Sequence, residues 1–139
     1  MRRLAIVLIL GLALAACGGH GSGSSKESEQ ITSAYTTFFS GNTSVADRVA
    51  LLQNGSTFEG VIRGFASLPL AKNVSAKVSS VTLQGANSAK VVYTVKLGSA
   101  GLPKQTGTAV RQNGTWKVGD ASLCKLIALG GTTPSACKS

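Results

Sequence analysis

Residues that could carry out acid–base chemistry are few in this chain of 139 residues. It has one histidine and five carboxylates, which are Glu27, Glu29, Asp47, Glu59 and Asp120. Asp47 and Glu59 fall in the first turns of predicted helices, where a negative charge complements the helix dipole, and Asp120 is predicted to cap the last helix. His20 lies in a tract of glycine and serine, which is typical of a linker. The sequence therefore offers no paired acid and base.

The two tyrosines, Tyr35 and Tyr93, are expected in the core with satisfied hydroxyl groups, or alternatively along an apolar pocket. The sequence has no nucleophile with a neighbouring base, no cluster of metal-ligand residues and no glycine-rich phosphate loop. We therefore expect a protein that is not an enzyme and that binds neither a metal nor a cofactor.

Cys17 ends an apolar run of residues 4–16, which follows Arg2 and Arg3. A basic start and an apolar run shorter than the roughly twenty residues that span a bilayer are typical of a secretory signal. The tetrapeptide Leu14-Ala15-Ala16-Cys17 resembles the lipobox, whose cysteine thiol receives a diacylglycerol before the chain is cut just ahead of it. We therefore predict a signal peptide at 1–16 and lipid attachment at Cys17, which would hold the protein on the outer face of the cell membrane.

An alternative cleavage site overlaps the first. Ala13-Leu14-Ala15 fits the A-x-A pattern of ordinary signal peptidase. Cleavage there would release a soluble exported protein that carries an unmodified Cys17 close to its new end. Both sites place the folded part outside the cytosol.

The other two cysteines, Cys124 and Cys137, are expected to form a disulfide. An odd number of thiols in an exported protein needs an explanation, and lipidation of Cys17 leaves an even pair in an oxidising compartment. The alternatives are two unpaired thiols or a metal site, although two thiolates without a nearby histidine or a second cysteine pair make a poor zinc site.

The elements that position these residues begin after a linker rich in glycine and serine. Residues 17–28 are predicted to form this lipidated, flexible linker, and residues 29–139 a single domain. Apolar residues at helical spacing predict a first helix from about Glu29 to Ser40. A second helix is predicted after a cap at Ser44, and a third after a cap at Ser56. The inward side chains of the third helix are expected to be Phe58, Val61, Ile62 and Phe65.

After Pro69 the apolar period changes from 3.6 to 2, which predicts four antiparallel strands. A phase slip at Ser79-Ser80 indicates a bulge that bends the sheet, and Asn113-Gly114 predicts a tight hairpin turn. A short helix at about 121–129 follows, held by the disulfide. We predict an α+β fold in which N-terminal helices pack on a curved four-stranded antiparallel sheet, as in the cystatin-like or NTF2-like class.

A resemblance to a known family is carried by four segments, "AYTTFFSGNTSVADRVALLQNGSTF", "AKVSSVTL", "LPKQTGTAVRQNGTWKVGDASLCKLIAL" and "PSAC". They resemble the C-terminal domain of the mycobacterial low molecular weight antigen family of secreted proteins and lipoproteins, over about Gln30 to Cys137. The resemblance implies an exported, immunogenic cell-envelope protein with a cystatin-like domain and no established reaction.

The formal net charge of +9 raises the question of an acidic partner. Four lysines are predicted on the outer face of the sheet, namely Lys77, Lys90, Lys96 and Lys117. They are expected either to form a solvated face that opposes aggregation or to attract anionic lipid or envelope glycans. Nucleic acid fits poorly, because the lysines are dispersed and aromatic residues are few.

Two functions follow as hypotheses. The first is a surface interaction protein with a filled core, which presents its faces to another envelope component. The second is a binding module whose apolar cone holds an envelope lipid or a small apolar ligand. The side chains expected to line that cone are Phe38, Phe65, Tyr93 and Trp116.

Overall fold

The computed structural model describes residues 20–138. Its α-helices are α1 (His20–Phe38), α2 (Val45–Leu51), α3 (Glu59–Ala66) and α4 (Asp120–Leu129). Three 3-10 turns cover Gly55–Phe58, Pro69–Asn73 and Ser135–Cys137. The strands are β1 (Val74–Leu83), β2 (Ser88–Leu97), β3 (Ala100–Gly101), β4 (Gln105–Gln112) and β5 (Thr115–Val118).

The sheet is antiparallel and curled, with the strand order β1-β2-β4-β5. The two-residue strand β3, which the sequence analysis did not predict, pairs with the end of β2. The helices α1 to α3 precede the sheet, and α1 packs against β1 and β5. The α+β class and the helix-then-strand architecture predicted from the periodicity are confirmed.

The core lies between α1 and the inner face of the sheet. Tyr35 of α1 and Phe39, which follows the helix, contact Tyr93 of β2, with ring centroids 4.9 and 5.6 Å away. Phe38 packs edge-on against Phe39, at 4.9 Å between centroids. The residues predicted to form the inner stripe of the first helix are all buried, namely Ile31, Ala34, Tyr35, Phe38 and Phe39.

Helix α1 begins at His20, whereas the sequence predicted flexible coil through residue 28 and a helix start near Glu29. An ion pair explains part of the difference, because Glu27 on α1 contacts Arg111 of β4 at 2.5 Å. A helix that is already nucleated also gains one hydrogen bond for each residue added, which opposes the weak helix propensity of glycine and serine.

Three local features predicted from the sequence are confirmed, namely the bulge, the tight turn and the cap of α2. Val78 pairs with Tyr93 and Ser80 with Val92, so Ser79 is the extra residue of the predicted bulge. Asn113 and Gly114 have φ values of 54° and 78°, as the predicted tight turn requires. The Ser44 hydroxyl accepts a hydrogen bond from the Asp47 backbone N–H at 3.1 Å and caps α2.

Two predicted helix caps are wrong. Ser56 lies inside the 3-10 turn Gly55–Phe58, and the residue before α3 is Phe58, which makes no side-chain cap. Asp120 is in the first turn of α4, after Gly119. Its carboxylate instead accepts a hydrogen bond from the Asn54 side chain at 3.1 Å.

Helix α4 covers an edge of β4. Strand β5 pairs only with Ala109–Gln112, which leaves the first half of β4 without a strand on that side. The Ser122 hydroxyl of α4 accepts from the Thr108 backbone N–H at 2.8 Å, and the Gly119 N–H donates to the Thr108 carbonyl at 2.8 Å. The predicted disulfide between Cys124 and Cys137 is present and ties α4 to the last 3-10 turn.

Candidate functional site

The hydroxyl of the buried Tyr35 forms a closed polar contact. The Tyr35 hydroxyl donates to the Thr108 carbonyl at 2.5 Å and is 3.0 Å from the Ser122 hydroxyl. Burial raises the pKa of Tyr35 well above its ordinary value and raises that of Tyr93 to about 12. Both side chains are therefore neutral at physiological pH, which fits the predicted core role.

Gly107 makes this contact sterically possible. A Cβ atom there would lie 2.5 Å from the Ser122 hydroxyl oxygen and 2.8 Å from the Tyr35 hydroxyl oxygen. Any larger residue would push the two hydroxyl groups away from the strand. The space beside the tyrosines is therefore already occupied by the protein's own atoms.

Arg48 is a buried cation that sequence reasoning missed. It is 3% exposed, and its guanidinium donates to the carbonyls of Phe38 and Ser40 at 3.1 and 2.6 Å. These carbonyls lie at the C-terminal end of α1, where a positive charge is favoured. Burial lowers the pKa of Arg48 from its ordinary value. Its spacing of three residues after Val45 and four before Leu52 was the signal for an inward position.

The four side chains predicted to line an apolar cone have two different environments. Phe38, Tyr93 and Trp116 are buried in the core, at 4%, 1% and 4% exposure. Phe65 is 40% exposed, contrary to the prediction that it points inward. The Arg48 guanidinium carbon lies 5.9 Å from the Phe65 ring centroid, so the arginine occupies the space beneath this ring.

Within residues 20–138, α1 borders two surface grooves. The larger, of ≈ 540 Å³, lies between α1 and the edge strand β5 and is lined by polar residues such as Gln30 and Ser33 together with Leu51 and Trp116. The smaller, of ≈ 220 Å³, lies beside the bulge of β1 and is lined by Ser28, Thr32 and residues 78–81. Both are open to solvent and mix polar with apolar groups.

Arg111 and Trp116 join the hairpin of β4 and β5 to α1. The Arg111 guanidinium carbon lies 5.0 Å from the Trp116 ring centroid, and its Nη2 atom contacts Glu27. Within the described part of the chain, the Arg111 Nε and Trp116 Nε1 atoms are buried without a hydrogen-bond partner. The contact fixes the position of α1 on the sheet.

The surface carries exposed apolar side chains and exposed lysines. Phe65, Leu68 and Leu70 are 40%, 52% and 62% exposed, and Leu129 of α4 is 59% exposed. Lys77, Lys90 and Lys96 are exposed on the outer face of the sheet as predicted, whereas Lys117 is partly buried.

Other site predictions concern metals and membranes. Over residues 20–138, histidine, cysteine and carboxylate side chains do not form a group of three that could hold a metal ion. In the same range, no helix combines the length and apolar character needed to cross a bilayer. The predicted lipidation residue, Cys17, and the signal peptide lie outside the described residues.

Comparison with known protein families gives a match over most of the chain. No curated protein matches the chain. The family described as low molecular weight antigen MTB12, C-terminal domain, matches residues 25–134. This range runs from the first half of α1 through α4 and therefore covers the sheet and the aromatic core. The chain belongs to the low molecular weight antigen MTB12 family, through the C-terminal domain of that family.

Proposed function

We propose that this protein is a lipid-anchored, non-catalytic antigen of the cell envelope that acts through its outer surface. Membership of an antigen family supports the coarse part of this proposal. The sequence from Arg2 to Cys17 supports export and lipidation. The physiological partner is an envelope component that the exposed faces of the domain contact.

The packing of the aromatic residues is the observation that carries this proposal. Tyr35, Phe39 and Tyr93 contact one another on the inner face of the sheet, where an apolar ligand would have to lie. Gly107 has no room even for a methyl group at that place. A ligand module of the usual kind encloses some 300–1,000 Å³ of largely apolar space. The packed core favours contacts at the surface over an enclosed ligand.

The start of α1 limits the reach of a lipid anchor. Only Gly18 and Gly19 separate Cys17 from His20, the first residue of the helix. Three steps of 3.8 Å allow at most about 11 Å between the anchored residue and the helix. A lipid on Cys17 would therefore keep the domain against the membrane, closer than the 17–20 Å expected of a longer coil.

Exchange of the anchoring residue tests the proposed location. In the full chain expressed in its own host, Cys17→Ser is expected to move the protein from the membrane fraction to the soluble exported fraction, because the thiol that takes the lipid is lost. Gly18→Ser is the matched control and should leave the protein in the membrane fraction. Mass spectrometry of the native protein should find a diacylglyceryl group on an N-terminal Cys17.

Two results would contradict the lipid anchor. One is membrane association of the Cys17→Ser variant equal to that of the unchanged protein. The other is a mature chain that begins at Ala16, which indicates the alternative cleavage site. Native mass spectrometry of protein taken from the envelope tests the absence of a ligand, because a small apolar molecule bound at one per chain would contradict the filled core.

A further inference from the structure

Three large apolar side chains are displayed on one short segment, which we call the apolar corner and define as Phe65, Leu68 and Leu70. Hydrogen bonds hold its backbone, since the Leu68 N–H donates to Phe65 O and the Ala71 N–H donates to Leu68 O, both at 3.0 Å. Ala71 is buried at 2% exposure and anchors the segment in the core. The fold therefore holds these side chains in solvent.

The apolar corner lies at one end of the sheet, where β1 begins and β2 ends. The Gly98 N–H after β2 donates to the Asn73 carbonyl at 2.7 Å, and the Gly41 N–H donates to the Val74 carbonyl at 2.9 Å. Gly41 is so close to the Lys72 carbonyl that a Cβ there would lie 2.2 Å away. These contacts hold the segment between Gly41, which follows α1, and the first residues of the sheet.

Three exposed lysines lie toward the same end of the sheet. Lys72 follows the apolar corner in the same turn and is exposed. Lys96 faces Ser75 and Lys77 faces Thr94, so the two lysines are diagonal neighbours on the outer face. In the part of the chain that the structure describes, the ion pairs join Arg63 to Glu59 and Arg111 to Glu27, and these three lysines take part in neither.

We propose that the apolar corner and the adjacent Lys72, Lys77 and Lys96 form a docking surface for an anionic lipid bilayer. Leucine and phenylalanine side chains enter the boundary between headgroups and acyl chains, while the ammonium groups contact lipid phosphates. This inference rests on the proposed function, because a tethered envelope domain meets such a surface continuously.

The chemistry of the surface favours a bilayer over a protein partner. Exposed apolar side chains with exposed ammonium groups near them match a bilayer that offers acyl chains and phosphates together. Neither of the two grooves described above is lined by a residue of the apolar corner. The apolar side chains, at 40%, 52% and 62% exposure, are instead open to solvent, which suits insertion into a soft interface.

Vesicle binding by a chain without the lipid tests the proposal. A chain of residues 18–139 retains the fold, because the core residues and the disulfide lie between Ile31 and Cys137. It is expected to bind vesicles rich in phosphatidylglycerol, more weakly as salt rises, and to bind pure phosphatidylcholine vesicles far less. Because this chain carries no anchor, the result is independent of whether Cys17 is lipidated.

Matched variants separate insertion from charge. Leu68→Ser with Leu70→Ser should weaken binding at least tenfold, because two side chains lose their transfer into the apolar boundary. Lys72→Gln should weaken it about fivefold, the equivalent of about 1 kcal/mol. Leu129→Ser, which changes an equally exposed leucine on α4, should leave binding unchanged. Unchanged thermal unfolding midpoints show that each variant is folded.

Several outcomes would overturn the proposal. Absence of binding to phosphatidylglycerol vesicles does so, as does full binding by the Leu68→Ser, Leu70→Ser variant. An equal loss with Leu129→Ser also contradicts it, because the effect then does not belong to the apolar corner. If the protein does not bind vesicles but cross-links through Ser67 to an envelope protein, the apolar corner is a protein interface. That result contradicts the lipid assignment.

Discussion

Arg48 occupies the position of an apolar residue on α2 without a carboxylate partner among the described side chains that contact it. Its charge is compensated by the carbonyls of Phe38 and Ser40 at the end of α1, of which the Ser40 carbonyl also accepts from the Thr43 N–H, and by the face of the Phe65 ring. The same guanidinium therefore contacts both the end of α1 and one ring of the apolar corner.

Removal of this guanidinium is expected to destabilise the fold. Arg48→Met keeps a long side chain but leaves the Phe38 carbonyl without its donor and the Ser40 carbonyl with only the Thr43 N–H, which we expect to cost about 1–3 kcal/mol. The free energy of unfolding in urea measures the effect. Arg63→Met is the control, because Arg63 is exposed and its ion pair with Glu59 is worth at most a few tenths of a kcal/mol. Equal stability of the two variants would contradict the role assigned to Arg48.

At the scale of elements, sequence patterns correctly predicted the features that depend only on residues close together in the chain. The Asn113-Gly114 turn requires only two residues that tolerate positive φ, and the bulge at Ser79 follows from the phase of the apolar residues. Glu27 lies in the part of α1 that precedes the predicted helix start, and its partner Arg111 lies far away in sequence. Such a partner is invisible to periodicity, so the start of this helix was not predicted.

In the candidate site, too, the sequence predicted local features but not those that depend on contacts between distant residues. Aromatic type and spacing correctly indicated that Tyr35, Phe38 and Tyr93 face inward. They did not indicate whether these rings line a cavity or fill the core, because that depends on the distances between the elements that carry them. The 40% exposure of Phe65 was likewise not predicted, because helical spacing does not show that Arg48 lies against one face of this ring.

Helix α4 covers an edge of β4, and the disulfide ties α4 to the last 3-10 turn. Loss of the disulfide should therefore weaken the protection of this edge. Replacement of Cys124 and Cys137 by alanine is expected to cost about 3 kcal/mol, from the entropy of the opened loop. The loss should appear locally as faster hydrogen exchange at the Thr108 amide, because its acceptor is the Ser122 hydroxyl of α4.

A paired amide provides the control for this exchange measurement. The Gln84 N–H donates to the Ser88 carbonyl at the β1–β2 turn, away from α4. Its exchange should change only as much as global stability does. If the Thr108 and Gln84 amides are affected equally, α4 does not protect the edge of β4 separately from the rest of the fold.

At the scale of the whole molecule, α1 separates the two proposed membrane contacts. The helix has 19 residues, which at 1.5 Å per residue span about 28 Å. The proposed lipid precedes its first residue, and the apolar corner adjoins its last through Arg48. One contact alone would let the domain rotate about its tether. Two contacts at opposite ends of α1 would lay the helix along the bilayer surface.

A fluorescent label in the apolar corner measures this orientation. Ser67 lies within the apolar corner and is exposed. With the lipidated protein on phosphatidylglycerol-rich vesicles, a label on Ser67→Cys should be shielded from aqueous iodide, because the corner enters the interface. The unlipidated chain in solution is the control, and there iodide should quench the label freely. Quenching on the vesicles equal to that in solution would mean that the domain stands free on its anchor, since a bilayer that covers the corner must also exclude iodide from Ser67.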